Sequence, residues 1–375
     1  MRGEGIMSRV INQELSRKFG EAERSLMCLH GSGTRLRRAL ERRVQAGSVV
    51  SPHHSLYART EYWETLKPDE QALHIIRALQ QAHPTWAFCC QSAGLVWGLP
   101  ISYRDVVPIH VMSGSHQQLK QQGIVLHTLH NAPVQTVRGV RVTGLVRTVF
   151  DCLRAATFID GLALADRALR MHEPDRRRTF RRELRSLARG HTGARRAMGI
   201  MGYANPKSES WAESAARALI IMKGFALPRL QVPFEQPLSP GRTYYVDMLF
   251  TRADGSKVIG EVDGLEKYWN PTMHAGRSTA RVLADEQHRE SELTMYGMPV
   301  MRISVDDVVH PRQLYRKLKA YGIPQSDQAA ESVRELAKSS PGAAAFFAQL
   351  PLPGPEELQR LLHKDEAKSG QPEDE

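Results

Sequence analysis

Two apolar stretches, TYYVDMLF (243–250) and KVIGEVD (257–263), are separated by six residues that include the turn sequence ADGS. A connection that short joins antiparallel neighbours, so the two runs are expected to pair as adjacent strands of one sheet. Their apolar character asks for burial, yet both carry carboxylates: Asp247 in the first, Glu261 and Asp263 in the second. Period-two alternation places Ile259, Glu261 and Asp263 on one face and Val258, Gly260 and Val262 on the other. Pairing then brings Asp247 beside Glu261 and Asp263. Carboxylates held this close are costly unless positive charge sits among them.

The segment before these strands adds a fourth acid. SESWAESAARALIIMKG (208–224) is apolar on nearly all helical faces and stops at Gly224, so it reads as a buried helix in which Glu213 stands out. An adjoining helix can swing Glu213 over Asp247, Glu261 and Asp263, and four carboxylates then converge. A hard divalent cation, Mg2+ or Mn2+, resolves the cost: it takes oxygen ligands, binds through a few carboxylates and leaves positions for phosphate oxygens. An exposed acidic cluster paired with Lys267 or Arg289 is the plainer alternative.

Charge points toward a polyanionic partner. The net charge is +11, and residues 326–375 hold ten acids against five Lys/Arg, so the body that precedes this tail is more basic still. Nucleic acid is the common partner of such a body, and a merely soluble basic protein is the alternative. No apolar run approaches the about 20 residues needed to span a bilayer, and MRGEGIMSRVINQEL lacks the apolar core of a signal peptide. A cytoplasmic protein with no membrane partner is expected. Cys28, Cys89, Cys90 and Cys152 show no CxxC spacing and are expected to be reduced and buried.

The N-terminal region, residues 9–60, carries the basic signal in a defined order. A helix is followed by the loop HGSGT, a second helix TRLRRALERRVQAG, and a strand pair within GSVVSPHHSLYA. Thr34 is the expected N-cap and Gly47 the expected stop, with Leu36, Leu40 and Val44 recurring at helical spacing. Arg35, Arg37, Arg38, Arg42 and Arg43 take the other faces. Helix, turn, basic helix and wing is the winged-helix order, in which the second helix enters the major groove and its arginines reach phosphates and guanine edges of duplex DNA. A solvated helix is the alternative.

Residues 67–171 read as an α+β domain: a helix around Leu73, Ile76 and Leu79, short strands near VVPIHVM, IVLHTLH and GVRVTG, then two helices. His127 and His130 fall on opposite faces of a strand and are expected to be structural or exposed. Asp151 and Asp166 are expected to cap helices or pair with Arg147 and Arg167. Residues 172–204 form a basic connector in which Phe180, Leu184 and Leu187 make one stripe and nine arginines between Arg176 and Arg196 cover the rest. That face can track phosphates or simply be solvated.

The strings SWAES, VDMLF, GEVDGLEKY, VLADEQHRESEL and YGMPVMRISVDDV resemble, in order and spacing, the small nuclease-fold domain of unknown function related to very-short-patch repair endonucleases, within the PD-(D/E)XK superfamily. Upstream, SAGLVWGLP and GVRVTGLVRTVFDCLRAATFIDGLALADRAL resemble the actinobacterial AbiEi-type antitoxins of type IV toxin–antitoxin systems, whose N-terminal part is a winged helix. The two resemblances span most of residues 10 to 325. They imply a multidomain α+β and α/β chain: an N-terminal winged helix, a middle α+β domain, and a restriction-endonuclease-like mixed sheet flanked by helices over residues 205–324. Residues 325–375 read as a partly disordered tail.

The nuclease resemblance implies roles for Glu213 as the helix acid, Asp247 as the strand aspartate and Glu261 as the acid of the next strand, with Asp247, Glu261 and Asp263 as metal ligands. The superfamily's lysine two residues after Glu261 is absent, and Asp263 stands in its place. Lys267 could reach back to supply the missing charge, and Glu286 and Arg289, three apart on the following helix, are near enough to join. Two functions follow as expectations. One is a Mg2+-dependent DNA endonuclease delivered by its winged helix. The other is a non-catalytic, antitoxin-like repressor with a cognate toxin as partner.

Overall fold

The structure, a computed structural model, describes residues 2–113, 123–129, 131–263, 288–289 and 291–338. Lys267, Glu286 and His130 lie outside these residues. The protein is a multidomain α+β chain that divides into two compact units, residues 1–155 with 171–198, and residues 156–170 with 199–375. Among the described residues no helix is long and apolar enough to cross a membrane.

The first unit opens with α1 (Arg2–Arg24), β1 (Leu29–His30), α2 (Thr34–Gln45), and a hairpin of β2 (Val49–His53) and β3 (Leu56–Arg59). The strands form an antiparallel sheet in the order β1-β3-β2. Ile11, Leu15 and Phe19 of α1 close on Leu36, Ala39 and Leu40 of α2, with Val49 and Tyr57 beneath and Val44 partly buried beside them. Helical spacing thus buries the stripe expected from the sequence. The cap differs. Thr34 is already helical, Gly33 precedes it at φ 83, and no side chain caps the helix. Gly47, at φ 76, ends it as expected.

After a short α3 (Thr60–Trp63) come α4 (Pro68–Ala82), β4 (Ala87–Phe88), α5 (Cys90–Trp97), β5 (Ile109–Ser113), β6 (Ile124–Thr128), β7 (Val134–Val137), β8 (Val140–Thr143) and α6 (Leu145–Ala155). The five strands make a mixed sheet ordered β6-β5-β4-β8-β7, with β4 in the centre. Ile75, Ile76 and Leu79 of α4 and Leu95 and Val96 of α5 pack with Phe88, Val111 and Val142 of this sheet. Asp151 pairs with Arg147 at 2.6 Å, as the sequence suggested, and with Arg154 at 3.3 Å.

The second unit takes α7 (Phe158–Arg170), which the sequence places at the end of the middle region. The basic α8 (Pro174–Ala188) returns to the first unit, and α9 (Ala194–Tyr203) contains the boundary between residues 198 and 199. Then follow α10 (Trp211–Met222), β9 (Arg229–Glu235), β10 (Thr243–Thr251), β11 (Lys257–Asp263), β12 (Val300–Ser304), α11 (Val305–Val309), α12 (Pro311–Ala320) and α13 (Asp327–Lys338). The sheet order is β12-β11-β10-β9, antiparallel except for the β11–β12 pair, which is parallel. The β10–β11 hairpin expected from ADGS is present. As an internal strand, β11 is buried on both faces from Val258 to Val262, not on one alone.

Asp166 departs from expectation. Its partner is Arg217 of α10, at 2.8 and 2.7 Å, and not Arg167. Ser214 Oγ and the Asn205 N–H also donate to it, so a residue read as a local helix charge is the buried junction of three segments of the second unit.

Candidate functional site

The α2 arginines divide into two groups. Arg35, Arg37, Arg38 and Arg42 are exposed, because the 3.6-residue repeat that buries Leu36, Ala39 and Leu40 turns them outward. Arg37 lies 3.4 Å from Glu41 in an exposed i,i+4 pair, a contact worth only about 0.3–0.5 kcal/mol. Arg43 is different. It is half-buried, donates to the Ala39 carbonyl at 2.6 Å and bonds Asn12 of α1, so it fastens α2 to α1. On α8, Phe180 and Leu184 are buried, Leu187 is half-buried, and Arg176, Arg178, Arg182 and Arg185 are exposed.

In the second unit β10 and β11 pair in register as far as Met248 opposite Gly260. One residue further, the Asp247 carboxylate accepts the N–H of Val262 at 2.9 Å, so a side chain takes the place of a ladder carbonyl. This seats Asp247 beside the segment that carries Glu261. Gln231 approaches its other oxygen at 3.5 Å. Glu213 belongs to the first turn of α10: Ser210 Oγ accepts its N–H at 3.1 Å, and its carboxylate accepts Ser210 Oγ–H and the Glu209 N–H at 2.9 Å each. That reciprocal bonding is a helix-capping role, which the S-x-x-E spacing at 210–213 signals. Burial raises the Glu213 carboxyl above its usual range against the lowering effect of the Glu209 N–H, and the charge of Asp247 raises it further.

The other two acids are held by arginines. Glu261, 7% exposed, pairs with Arg289 at 3.1 Å, and Arg289 lies over the Tyr244 ring at 5.7 Å. Asp263 takes a two-pronged contact from Arg302 of β12, at 2.7 and 3.2 Å. The structure therefore brings Glu213 within electrostatic reach of Asp247, and Asp247 next to Glu261, but gives Asp263 to the neighbouring strand. The expected convergence of four carboxylates is only partly met. Among the described residues, no three of them form a group whose ligand oxygens all lie within 4.8 Å.

Such a group exists elsewhere, in cysteines expected to be reduced and buried and a histidine expected to be structural or exposed. One ligand atom from each of Cys89, Cys90 and His127 lies within 4.8 Å of the others. The cysteines are free and buried, as expected, and His127 is half-buried with a ring hydrogen bond of 2.7 Å to His110. The hydrogen bond between the two thiols lowers Cys90 below its usual range, with a bond to His127 acting in the same direction against burial, and the same bond together with burial raises Cys89. Burial keeps His110 neutral, lowering it to about 4. The signal lay in an adjacent cysteine pair followed by histidines on two later strands, which becomes legible only once β4, β5 and β6 are known to be neighbours.

The chain is 28% identical, over 276 residues, to two proteins of Mycobacterium tuberculosis: "Uncharacterized protein MT2308" of strain CDC 1551 / Oshkosh and "Uncharacterized protein Rv2248" of strain ATCC 25618 / H37Rv. Each match covers 72% of this chain and 91% of the relative. No family model and no solved structure matches.

Proposed function

We propose that this protein binds duplex DNA, with α2 entering the major groove and the β2–β3 hairpin serving as a wing. The observation that carries the reading is the exposed row Arg35, Arg37, Arg38 and Arg42, set against the buried Leu36, Ala39 and Leu40 on a helix that directly precedes a hairpin. Guanidinium groups suit both phosphate and guanine contacts, and each phosphate neutralised releases counterions. Replacing Arg37, Arg38 and Arg42 together by alanine should weaken duplex binding and reduce the steepness of its salt dependence. Unchanged affinity and salt slope would refute the assignment.

A second function, metal-dependent phosphodiester hydrolysis, is supported by the placement of Asp247 between the charge of Glu213 and the Glu261 segment. The donor set is all oxygen and suits Mg2+ or Mn2+, which Asp247 and Glu261 would hold while phosphate supplies further oxygens. An ion so held would lower the pKa of bound water and stabilise a leaving oxygen. The Val262 N–H would then orient Asp247, and Arg289 would orient Glu261. The arginine partners of Glu261 and Asp263 favour the opposite outcome, a non-catalytic repressor of the antitoxin type. Plasmid DNA incubated with wild type and Mg2+ or Mn2+ separates the two: cutting that Glu261→Ala abolishes supports the nuclease, and intact plasmid with binding retained leaves the repressor.

A further inference from the structure

The Cys89–Cys90 pair follows the central strand of the first unit's mixed sheet, and its backbone is unusual. In an extended chain adjacent side chains point to opposite faces, so two neighbouring cysteines would not share a site. Here Cys90 stands at φ 51, a left-handed conformation that a residue with a Cβ seldom adopts, and it does so at the turn from β4 into α5. Both sulfurs thereby come within 4.8 Å of one another and of a His127 ring nitrogen. The neighbouring strands complete the surroundings. The Cys89 N–H bonds the His110 carbonyl at 3.1 Å, Ser92 Oγ accepts the His110 N–H at 2.9 Å, and His110 Nδ1 lies 2.7 Å from His127 Nε2.

We propose that Cys89, Cys90 and His127 form a binding site for a thiophilic divalent cation, Zn2+, with His110 as the residue that positions His127. Two thiolates and an imidazole are the donors Zn2+ takes in proteins, and they are a poor match for Mg2+ or Ca2+, which prefer oxygen. Two thiolate charges balance the ion's charge, which lets the assembly sit in a buried place where an unpaired ion could not. The His110 bond takes His127 Nε2, so Nδ1 would be the nitrogen that faces the cation, with His110 holding the ring as neighbours commonly hold a metal-bound histidine. The site is independent of the acids on β10 and β11 and of the α2 arginines.

The test uses the full-length chain, purified under reductant with all four thiols shown free by titration. Zn2+ alone should bind one per chain against a chromophoric chelator, and Co2+ in its place should give sulfur-to-cobalt charge-transfer absorption. Cys89→Ser and Cys90→Ser should each remove that absorption, whereas Cys28→Ala should keep it. His110→Gln should weaken Zn2+ binding by about 10–100-fold with the absorption retained at saturation. The wild-type spectrum needs no substituted protein to fold, and its absence with free thiols overturns the site. Unchanged Zn2+ affinity in a folded Cys89→Ser/Cys90→Ser chain also overturns it.

Discussion

Arg217 of α10 grips Asp166 of α7 through hydrogen bonds of 2.8 and 2.7 Å, with both side chains buried and the two residues 51 positions apart in sequence. Arg217 also donates to the Tyr203 carbonyl at 2.8 Å, so one guanidinium ties α7, α10 and the end of α9 in the second unit. Burial holds the Asp166 carboxyl above its usual range even with Arg217 opposing. Arg217→Met strands that carboxylate and should destabilise the second unit by about 3–5 kcal/mol. Urea unfolding of the full chain checks this. The double variant with Asp166→Leu should recover part of the loss, because the stranded charge is gone.

Gly224 ends α10 at φ 70, and a Cβ there would stand 2.1 Å from the Ser326 carbonyl oxygen and 2.8 Å from the Ala330 nitrogen. The Ser326 N–H bonds the Gly224 carbonyl at 2.8 Å, so the glycine is where α13 docks. Gly224→Ala therefore meets a backbone clash as well as an unfavourable φ, and should cost about 1–3 kcal/mol. A lowered Tm with faster proteolysis within α13 is the expected result. Wild-type Tm in that variant would mean the approach is looser than the geometry indicates.

Asp307 is buried at the start of α11. Burial raises its carboxyl, but Lys317 at 2.6 Å and the Ser304 N–H and Oγ–H at 2.8 and 2.9 Å outweigh that and bring it below the usual aspartate range. A depressed folded value means that the group's contribution to stability is full above the unfolded pKa of about 3.9 and is lost as pH falls through the folded value. Asp307→Asn should therefore be less stable than wild type at pH 7. The difference should shrink below about pH 4. Unfolding curves at several pH values measure it, and a gap that does not narrow in acid would rule out the ionised contact as its source.

A metal test bears on the second unit without requiring catalysis. Mg2+ or Mn2+ between Asp247 and Glu261 would stabilise the folded state by mass action, about 2.7 kcal/mol at a hundredfold excess over Kd. Asp247→Asn should abolish the shift in Tm. If millimolar metal does not move wild-type Tm, these acids are not a cation site and Asp247 serves the Val262 N–H and Gln231.

Local pattern determined a good deal of this protein. The apolar spacing of α2 put Leu36 and Leu40 inside and its arginines outside. The short connection through ADGS made β10 and β11 antiparallel neighbours. Each depends on neighbours a few residues apart, where backbone geometry leaves few choices. What joins distant segments was decided by tertiary structure. Asp166 chose Arg217 over the adjacent Arg167, because a buried carboxylate needs several donors at once and α10 with the Asn205 N–H supplies them. Asp263 turned to Arg302 because β12 lies parallel to β11, an order of strands that no local pattern encodes. Cys89, Cys90 and His127 became one group only when β4, β5 and β6 were laid side by side, since the sequence separation of cysteine and histidine says nothing of which strands share a ladder.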